Sequence, residues 1–191
     1  MKIDYSLGQL SRTISGVEIV VACVFLFGVV VLLFMNVAMR AAGAPIFWGD
    51  EAMVSLMGGM AAFATSALIA EGGHAKVDLL HPFLSPKSRF WLERFCAFAT
   101  LVFSVTLVWL SWRLFDPVSM IKAGFNIKEF VSMTRNFAYR EPTNTLGIAR
   151  FWTWIPLSIA ALGMVVHSLA WLLSSQSAGA ASRVDAESLT E

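Results

Sequence analysis

The chain has 191 residues, of which 57% are hydrophobic and 14% are charged, and its mean hydropathy is +0.69. Soluble globular proteins average about 45–50% apolar and about 25% charged residues, so this composition argues against a soluble enzyme, a nucleic-acid binder or a disordered linker. A net charge of +1 would attract neither nucleic acid nor an acidic substrate over long range. Cys23 and Cys96 both lie inside apolar runs, which favours neither a disulfide framework nor a redox pair.

Long uncharged runs divide the chain into four predicted membrane spans. A helix needs about 20 apolar residues to cross about 30 Å of hydrocarbon, and it pairs its backbone polar groups internally where water is absent. The predicted spans cover about residues 17–39, 52–70, 93–112 and 151–173. The predicted fold class is therefore an all-α membrane protein. Residues 1–176 would form a single four-helix membrane domain, and residues 177–191 a polar, disordered C-terminal tail.

Residues ahead of the first span show a helical pattern of their own. Apolar side chains recur there in a narrow stripe at Ile3, Leu7, Leu10, Ile14 and Val17. This pattern favours equally an N-terminal amphipathic helix in the headgroup plane and the solvated first turns of span one. A cleavable signal peptide fits less well, because its apolar region is typically about 7–15 residues long, whereas the apolar run of the first span is longer.

Titratable groups are scarce inside the predicted spans. Glu18 lies near the start of span one, where its carboxylate is expected to reach water. A coupling carboxylate at the membrane centre is missing, so we do not expect the chain to run proton- or sodium-coupled transport alone. Asn36 in span one and His167 in span four are each expected to make a hydrogen bond between helices.

The junction between spans one and two carries opposite charges. Arg40 ends span one, and Asp50 and Glu51 open span two. We expect these three residues to form a polar cuff that stabilises assembly rather than performing chemistry.

Small residues in span two predict close helix packing. They occur at every fourth position, at Gly58, Ala62, Ser66 and Ala70, with Gly59 beside them. Small side chains let helix backbones approach closely in lipid, and both packing within the chain and contact with another subunit remain open. Pro156 in span four removes a helical hydrogen bond and predicts a kink near the membrane boundary.

His74, Asp78 and His81 share one helix face and superficially match a two-histidine, one-carboxylate metal site. Two glycines before this segment and Pro82 after it leave room for only about two helical turns. We therefore favour a polar turn facing the headgroups, and predict neither a metal nor another cofactor in this chain.

Positive charges do not settle the orientation of the chain. Seven of the 14 Lys and Arg residues fall on each side of the predicted membrane, so the positive-inside rule gives a tie. The positive-inside rule is less reliable for long connections. Giving less weight to the basic residues of the long third connection, residues 113–150, favours cytoplasmic termini. Its apolar residues need cover from the bilayer surface or from another chain: Phe125, Ile127, Phe130, Val131 and Met133.

Several short motifs occur in a recognisable order. They are Asn36-Val37 and Arg40, Trp48 with Asp50-Glu51, Gly58-Gly59, His74-Ala75-Lys76-Val77-Asp78, Thr145-Leu146-Gly147-Ile148, Trp152, and Ile155-Pro156-Leu157. With four spans, this order resembles the small integral-membrane subunit, of DctQ type, of tripartite ATP-independent periplasmic (TRAP) transporters.

The resemblance implies a multi-pass protein of the bacterial inner membrane, with both termini cytoplasmic and no enzymatic activity. It implies two partners besides the lipid bilayer: a large multi-span permease subunit that holds the sodium and substrate sites, and a periplasmic substrate-binding protein. The small subunit would brace the scaffold of the large one during secondary, sodium-coupled uptake, usually of an organic acid. Candidate interface or structural residues are Asn36, Arg40, Trp48, Asp50, Glu51, Gly58, Gly59, Ala62, His74, Asp78, Trp152 and Pro156.

Two other functions are compatible with four spans. A self-contained small multidrug exporter would need a membrane-embedded glutamate in span one, and Glu18 lies close to the end of that span. A non-transporting tetraspan scaffold would need no such group. For the basic third connection, a solvated loop is favoured over a surface that contacts a partner.

Overall fold

The computed structural model describes residues 2–71 and 85–188, and this part of the chain is built from helices. Six of them are α1 (Lys2–Ala41), α2 (Gly49–Ala70), α3 (Pro86–Phe115), α4 (Pro117–Lys122), α5 (Ile127–Thr134) and α6 (Phe151–Ser188). Residues 42–48 and 116–150 lie at one end of the long helices, which we call the loop end.

Four stretches are long and apolar enough to cross a membrane. They are Ser6–Ala41, Gly49–Ala70, Phe90–Lys122 and Phe151–Leu173. Each contains one of the spans predicted from the sequence, or nearly all of it. The all-α, four-span fold class is therefore confirmed.

The N-terminal segment is not a separate interfacial helix. It forms the first turns of α1, whose 40 residues correspond to about 60 Å of helix. The apolar stripe does not face the protein, because Leu10 and Val17 are exposed while Ser11, Ser15 and Glu18 are buried. The interfacial-helix alternative is wrong here, because the small hydroxyl side chains of this face allow α1 to pack against α6.

The last helix is longer than the sequence suggested. A disordered tail was expected from residue 177, whereas α6 continues to Ser188. Alanines at 178, 180, 181 and 186 favour helix, and no proline interrupts the segment.

Three long helices contact one another, and the fourth packs at their side. Helices α1, α2 and α6 form mutual contacts, and α3 packs against α6. The shared core includes Ala22, Phe63, Ala160 and Met164, and Ser104 of α3 meets Ser168 of α6 with both side chains buried. Small residues at these contacts allow the close approach that stabilises helices in lipid.

Polar and apolar surfaces are arranged as expected for a lipid environment. On α1, Val20, Phe27 and Phe34 are 61%, 69% and 70% exposed, and their spacing of seven residues places them on one outward face. Buried polar side chains instead occur between the helices. Tryptophans at the loop end are all exposed, as membrane-interface tryptophans would be: Trp48, Trp109, Trp112, Trp152 and Trp154.

The small-residue stripe of α2 packs within the chain. Gly59, Ala62 and Ser66 are buried, and a Cβ at Gly59 would overlap the ring of Phe25. Gly58 differs from the prediction, because it is exposed and a Cβ there would meet open space. Helix contact is therefore made through Gly59 rather than through Gly58.

The third connection is folded rather than a simple solvated loop. Asp116 caps α4 by accepting a hydrogen bond from the Ser119 amide, and Asn126 caps α5. The Tyr139 hydroxyl donates to the Phe115 carbonyl at 2.7 Å, which satisfies one of the free carbonyls at the end of α3. Burial, and then the charge of Asp116, raise the pKa of Tyr139, so this phenol stays a neutral donor.

Candidate functional site

A carboxylate and an imidazole meet between the helices. Glu18 of α1 is 4% exposed; its Oε1 accepts a 2.7 Å hydrogen bond from Ser66 Oγ of α2, and its Oε2 lies 3.0 Å from His167 Nε2 of α6. On the far side of the imidazole, Nδ1 lies 2.7 Å from Ser11 Oγ. These four residues, the Glu18 cluster, join the three helices that contact one another.

The Glu18 cluster corrects one expectation and refines another. Glu18 was expected to reach water, but its side chain is buried and each carboxylate oxygen has a hydrogen-bond partner, so that expectation is wrong. The expected position of Glu18 near the end of a span agrees better with the structure, because its partner Ser66 lies four residues before Ala70, the last residue of α2. The cluster is therefore about one helical turn inside the end of α2. The interhelical hydrogen bond expected of His167 is confirmed.

Donors and acceptors balance within the Glu18 cluster. An imidazole that carries its proton on Nε2 would donate to Glu18 and accept at Nδ1 from the Ser11 hydroxyl. Ser66 donates to the second carboxylate oxygen. Satisfying these groups is important, because an unpaired polar group in a low-dielectric interior is costly.

Gly163 provides the space that Glu18 occupies. A Cβ at Gly163 would overlap Glu18 Oε1 and would lie 2.8 Å from Ser66 Oγ. The backbone of α6 can approach the carboxylate only because this residue has no side chain. The cluster therefore depends on the absence of a side chain at Gly163.

A second polar group of residues lies at the loop end. Asn36 Nδ2 donates to Asp50 Oδ1 at 2.8 Å, and Arg40 Nη2 lies 3.2 Å from Asp50 Oδ2. The interhelical bond expected of Asn36 and the pairing of Arg40 with Asp50 are both confirmed. The ion pair is exposed, with side chains 60% and 63% accessible, so it contributes less than a buried pair would.

Glu51 does not join this cuff but binds the third connection. Its carboxylate accepts hydrogen bonds from the backbone amides of Asn144, Thr145 and Leu146, at 2.8, 2.5 and 3.1 Å, and from Thr145 Oγ1 at 2.7 Å. Consecutive amides pointing to one spot form a natural anion site. Glu51 thus fastens the segment before α6 to the start of α2.

The other candidate residues have varied surroundings. Trp48 and Trp152 are exposed at the loop end, and Pro156 lies inside α6. A Cβ at Gly59 would lie 3.3 Å from the Cβ of Pro156, so these two residues mark a close contact of α2 with α6. His74 and Asp78, and the metal-site question attached to them, lie outside the described residues.

The sequence contained a signal for the Glu18 cluster that was not used. Ser11, Ser15 and Glu18 are spaced by four and three residues, which places them on one face of a helix. That polar stripe is the buried face of α1, whereas Leu10 and Val17 of the apolar stripe lie on its outer face. In a lipid solvent, the polar stripe is the better guide to helix contacts.

A groove of about 730 Å³ runs between α1 and α6 beside the Glu18 cluster. Its walls include Val17, Val21, Phe25, Ile159 and Leu162. Because Glu18 is buried and paired, the groove presents mainly apolar side chains. This arrangement suits contact with a lipid chain or another helix better than passage of a charged solute.

Comparison with known proteins identifies the family of the chain. A family model described as "Tripartite ATP-independent periplasmic transporters, DctQ component" matches residues 29–177. Comparisons with curated proteins and with solved structures gave no significant match. The matched range includes Asp50, Glu51, Ser66 and His167, and begins after Glu18. With its four membrane-spanning helices, the chain belongs to the DctQ family, the small multi-pass membrane component of TRAP transporters.

Proposed function

We propose that this chain is the accessory small subunit of a secondary, sodium-coupled, binding-protein-dependent transporter that takes up organic acids. Its task is to brace the scaffold of a large multi-span permease subunit, which carries the sodium and substrate sites. The observation that carries this proposal is the Glu18 cluster, in which each carboxylate oxygen has a hydrogen-bond partner within the chain. A group that must bind and release a coupling ion needs free coordination sites, and Glu18 offers few.

The outer surface of α6 supports the bracing role. Ile155, Ile159 and Leu162 form a ridge between the 730 Å³ groove on the α1 side and a groove of about 350 Å³ that is lined also by Phe115 and Tyr139. A ridge between two grooves matches the way in which helices pack side by side. We propose that a scaffold helix of the large subunit packs on this face.

Orientation follows from the same assignment. We place the chain in the bacterial inner membrane with both termini in the cytoplasm and the loop end in the periplasm. The folded third connection and its basic residues would then face the compartment that holds the substrate-binding protein. The hydrogen bonds of Glu51 to the backbone amides of residues 144–146 would hold this surface in one conformation.

Substitution of Leu162 by Trp tests the proposed contact with the large subunit. Leu162 is exposed on the ridge, so Leu162→Trp should fill the space needed by the partner helix and sharply reduce co-purification of the large permease. Val30→Trp is the matched control, because Val30 is exposed on α1 and does not line this groove. Equal recovery of the permease with both variants would contradict the proposed contact.

A small multidrug exporter is the second candidate function, and one observation favours it. Glu18 is a buried carboxylate in the first span, as such an exporter requires. Against it, both oxygens are engaged by Ser66 and His167. Complete loss of drug efflux in a Glu18→Gln variant of this chain would support the exporter, and an absence of efflux by the wild-type chain would exclude it.

A further inference from the structure

An exposed apolar patch lies on α4 and on the turn that follows it. Val118, Ile121 and Phe125 are 46%, 63% and 73% exposed, and they are spaced by three and four residues along the chain. Helix α5 adds exposed apolar side chains of its own, since Ile127 and Met133 are 40% and 56% exposed. Phe130 of α5 is fully buried and contacts Tyr139 with ring centroids 5.3 Å apart.

The turn holds Phe125 outward at a conformational cost. Gly124 and Phe125 have φ angles of +57° and +60°, a left-handed conformation that is unfavourable for a residue with a Cβ such as Phe125. The Phe125 amide donates to the Met120 carbonyl at 3.1 Å, which fixes the turn. Phe125, the most exposed aromatic residue of the third connection, is thus held on a defined turn.

The patch follows directly along the chain from exposed aromatic residues at the end of α3. Trp109 and Trp112 are exposed on the last turns of α3, and the third stretch apolar enough to cross a membrane extends from Phe90 to Lys122, with a helix break at Asp116. Lys122 is exposed directly beside Ile121. A lysine next to exposed apolar side chains can extend its ammonium group to lipid phosphates while its stem stays in the apolar layer.

We propose that Val118, Ile121 and Phe125 insert into the headgroup–acyl boundary of the bilayer, with the Lys122 ammonium on phospholipid phosphates. The third connection would then be fixed to the membrane surface at one side and to α2 through Glu51 at the other. Its occupant is phospholipid, for which the charge of Lys122 and the adjacent exposed aromatic residues at the end of α3 both argue. This proposal holds for any function of the chain, because it concerns only the seating of the loop end in the membrane.

Site-specific fluorescence on the full-length chain tests the proposal. Cys23 and Cys96 are replaced by Ala, Phe125→Cys is labelled with a polarity-sensitive fluorophore, and the protein is reconstituted in vesicles of equal parts phosphatidylethanolamine and phosphatidylglycerol. Lipids with a nitroxide near the headgroup end of the acyl chain serve as quenchers. Ser132→Cys is the control, because Ser132 is exposed on the polar side of α5, away from the buried Phe130.

We expect the position-125 probe to emit at shorter wavelength and to be quenched about threefold more than the position-132 probe, as for a side chain at the acyl boundary. Emission and quenching equal to those of the control would overturn the proposal. Low-polarity emission without quenching by nitroxide lipid would also overturn it, because protein would then cover the patch. If Phe125→Cys does not fold, Ile121→Cys provides the same measurement.

Charge at Lys122 gives a second readout. Lys122→Glu should lower quenching of the position-125 probe in vesicles with phosphatidylglycerol, because the carboxylate is repelled by anionic headgroups. Quenching unchanged by this variant would contradict the assigned role of Lys122.

Discussion

At the scale of single residues, polar side chains stabilise this protein by pairing inside a largely apolar chain. The Glu18 cluster is the clearest case, since it joins α1, α2 and α6 through two hydrogen bonds to one carboxylate. The cluster stabilises the fold because its polar groups have partners; a buried polar network with unpaired groups would be less stable than apolar side chains in the same place.

Replacement of Glu18 separates hydrogen bonding from charge. Glu18→Gln keeps an acceptor for Ser66, and its amide can donate to Nε2 of His167 once the imidazole proton moves to Nδ1 and is donated to Ser11, so we expect a small change in stability. Glu18→Leu leaves both partners unpaired and should lower the free energy of unfolding by about 2 kcal/mol, within the range for a buried unsatisfied group. The measurement is unfolding of the purified chain in mixed detergent.

Val20→Leu is the matched control for the Leu variant, because Val20 is 61% exposed on α1. If Glu18→Leu unfolded no more easily than Val20→Leu, the Glu18 cluster would not hold the helices together.

At the scale of the elements, helix packing depends on where side chains are missing. Gly59 lies against Phe25 and close to Pro156, whereas neighbouring Gly58 faces open space. The two adjacent glycines therefore differ in function although the sequence alone cannot distinguish them.

Alanine substitution at these two glycines provides an internal comparison. Gly59→Ala should destabilise the chain by about 1–3 kcal/mol, the usual cost of overpacking. Gly58→Ala should be neutral or slightly stabilising, because alanine favours helix over glycine by up to about 1 kcal/mol. Equal thermal stability of the two variants in detergent would refute the assigned α2 contact.

The third connection depends on one carboxylate at the start of α2. Glu51→Ala removes the acceptor for three consecutive amides, so we expect several-fold faster tryptic cleavage after Arg140 or Arg150. Asp50→Ala is the control, because Asp50 pairs with Arg40 and Asn36 rather than with the loop. Cleavage rates that rise equally in both variants would show that Glu51 has no special role in fastening the loop.

Sequence patterns predicted these elements better than their contacts. Uncharged length was enough to find four spans, because the bilayer sets a minimum helix length. The pairing of Arg40 with Asp50 also followed, because the residues lie at adjacent helix ends, and so did an interhelical hydrogen bond of Asn36, although not its partner Asp50. The bond from Glu18 to His167 did not, because it joins residues 149 positions apart and depends on which helix faces meet. Glu51 was likewise assigned to the wrong partner, because the loop amides that bind it have no side-chain signature.

At the scale of the whole molecule, the distribution of polar and apolar side chains supports the proposed accessory role. Buried polar groups are used to join helices, and the broad outer surfaces of α1, α3 and α6 are apolar. Membership of the DctQ family supplies the context, since that component works within a three-part transporter. The proposed division of labour leaves ion and solute binding to the large subunit.

Uptake by proteoliposomes tests this division of labour most directly. Vesicles would contain this chain alone, the large permease alone, or both together, each supplied with the binding protein, labelled organic acids and an inward sodium gradient. We expect uptake when both membrane subunits are present and none with this chain alone. Sodium-driven accumulation of solute by vesicles that contain only this chain would contradict the account.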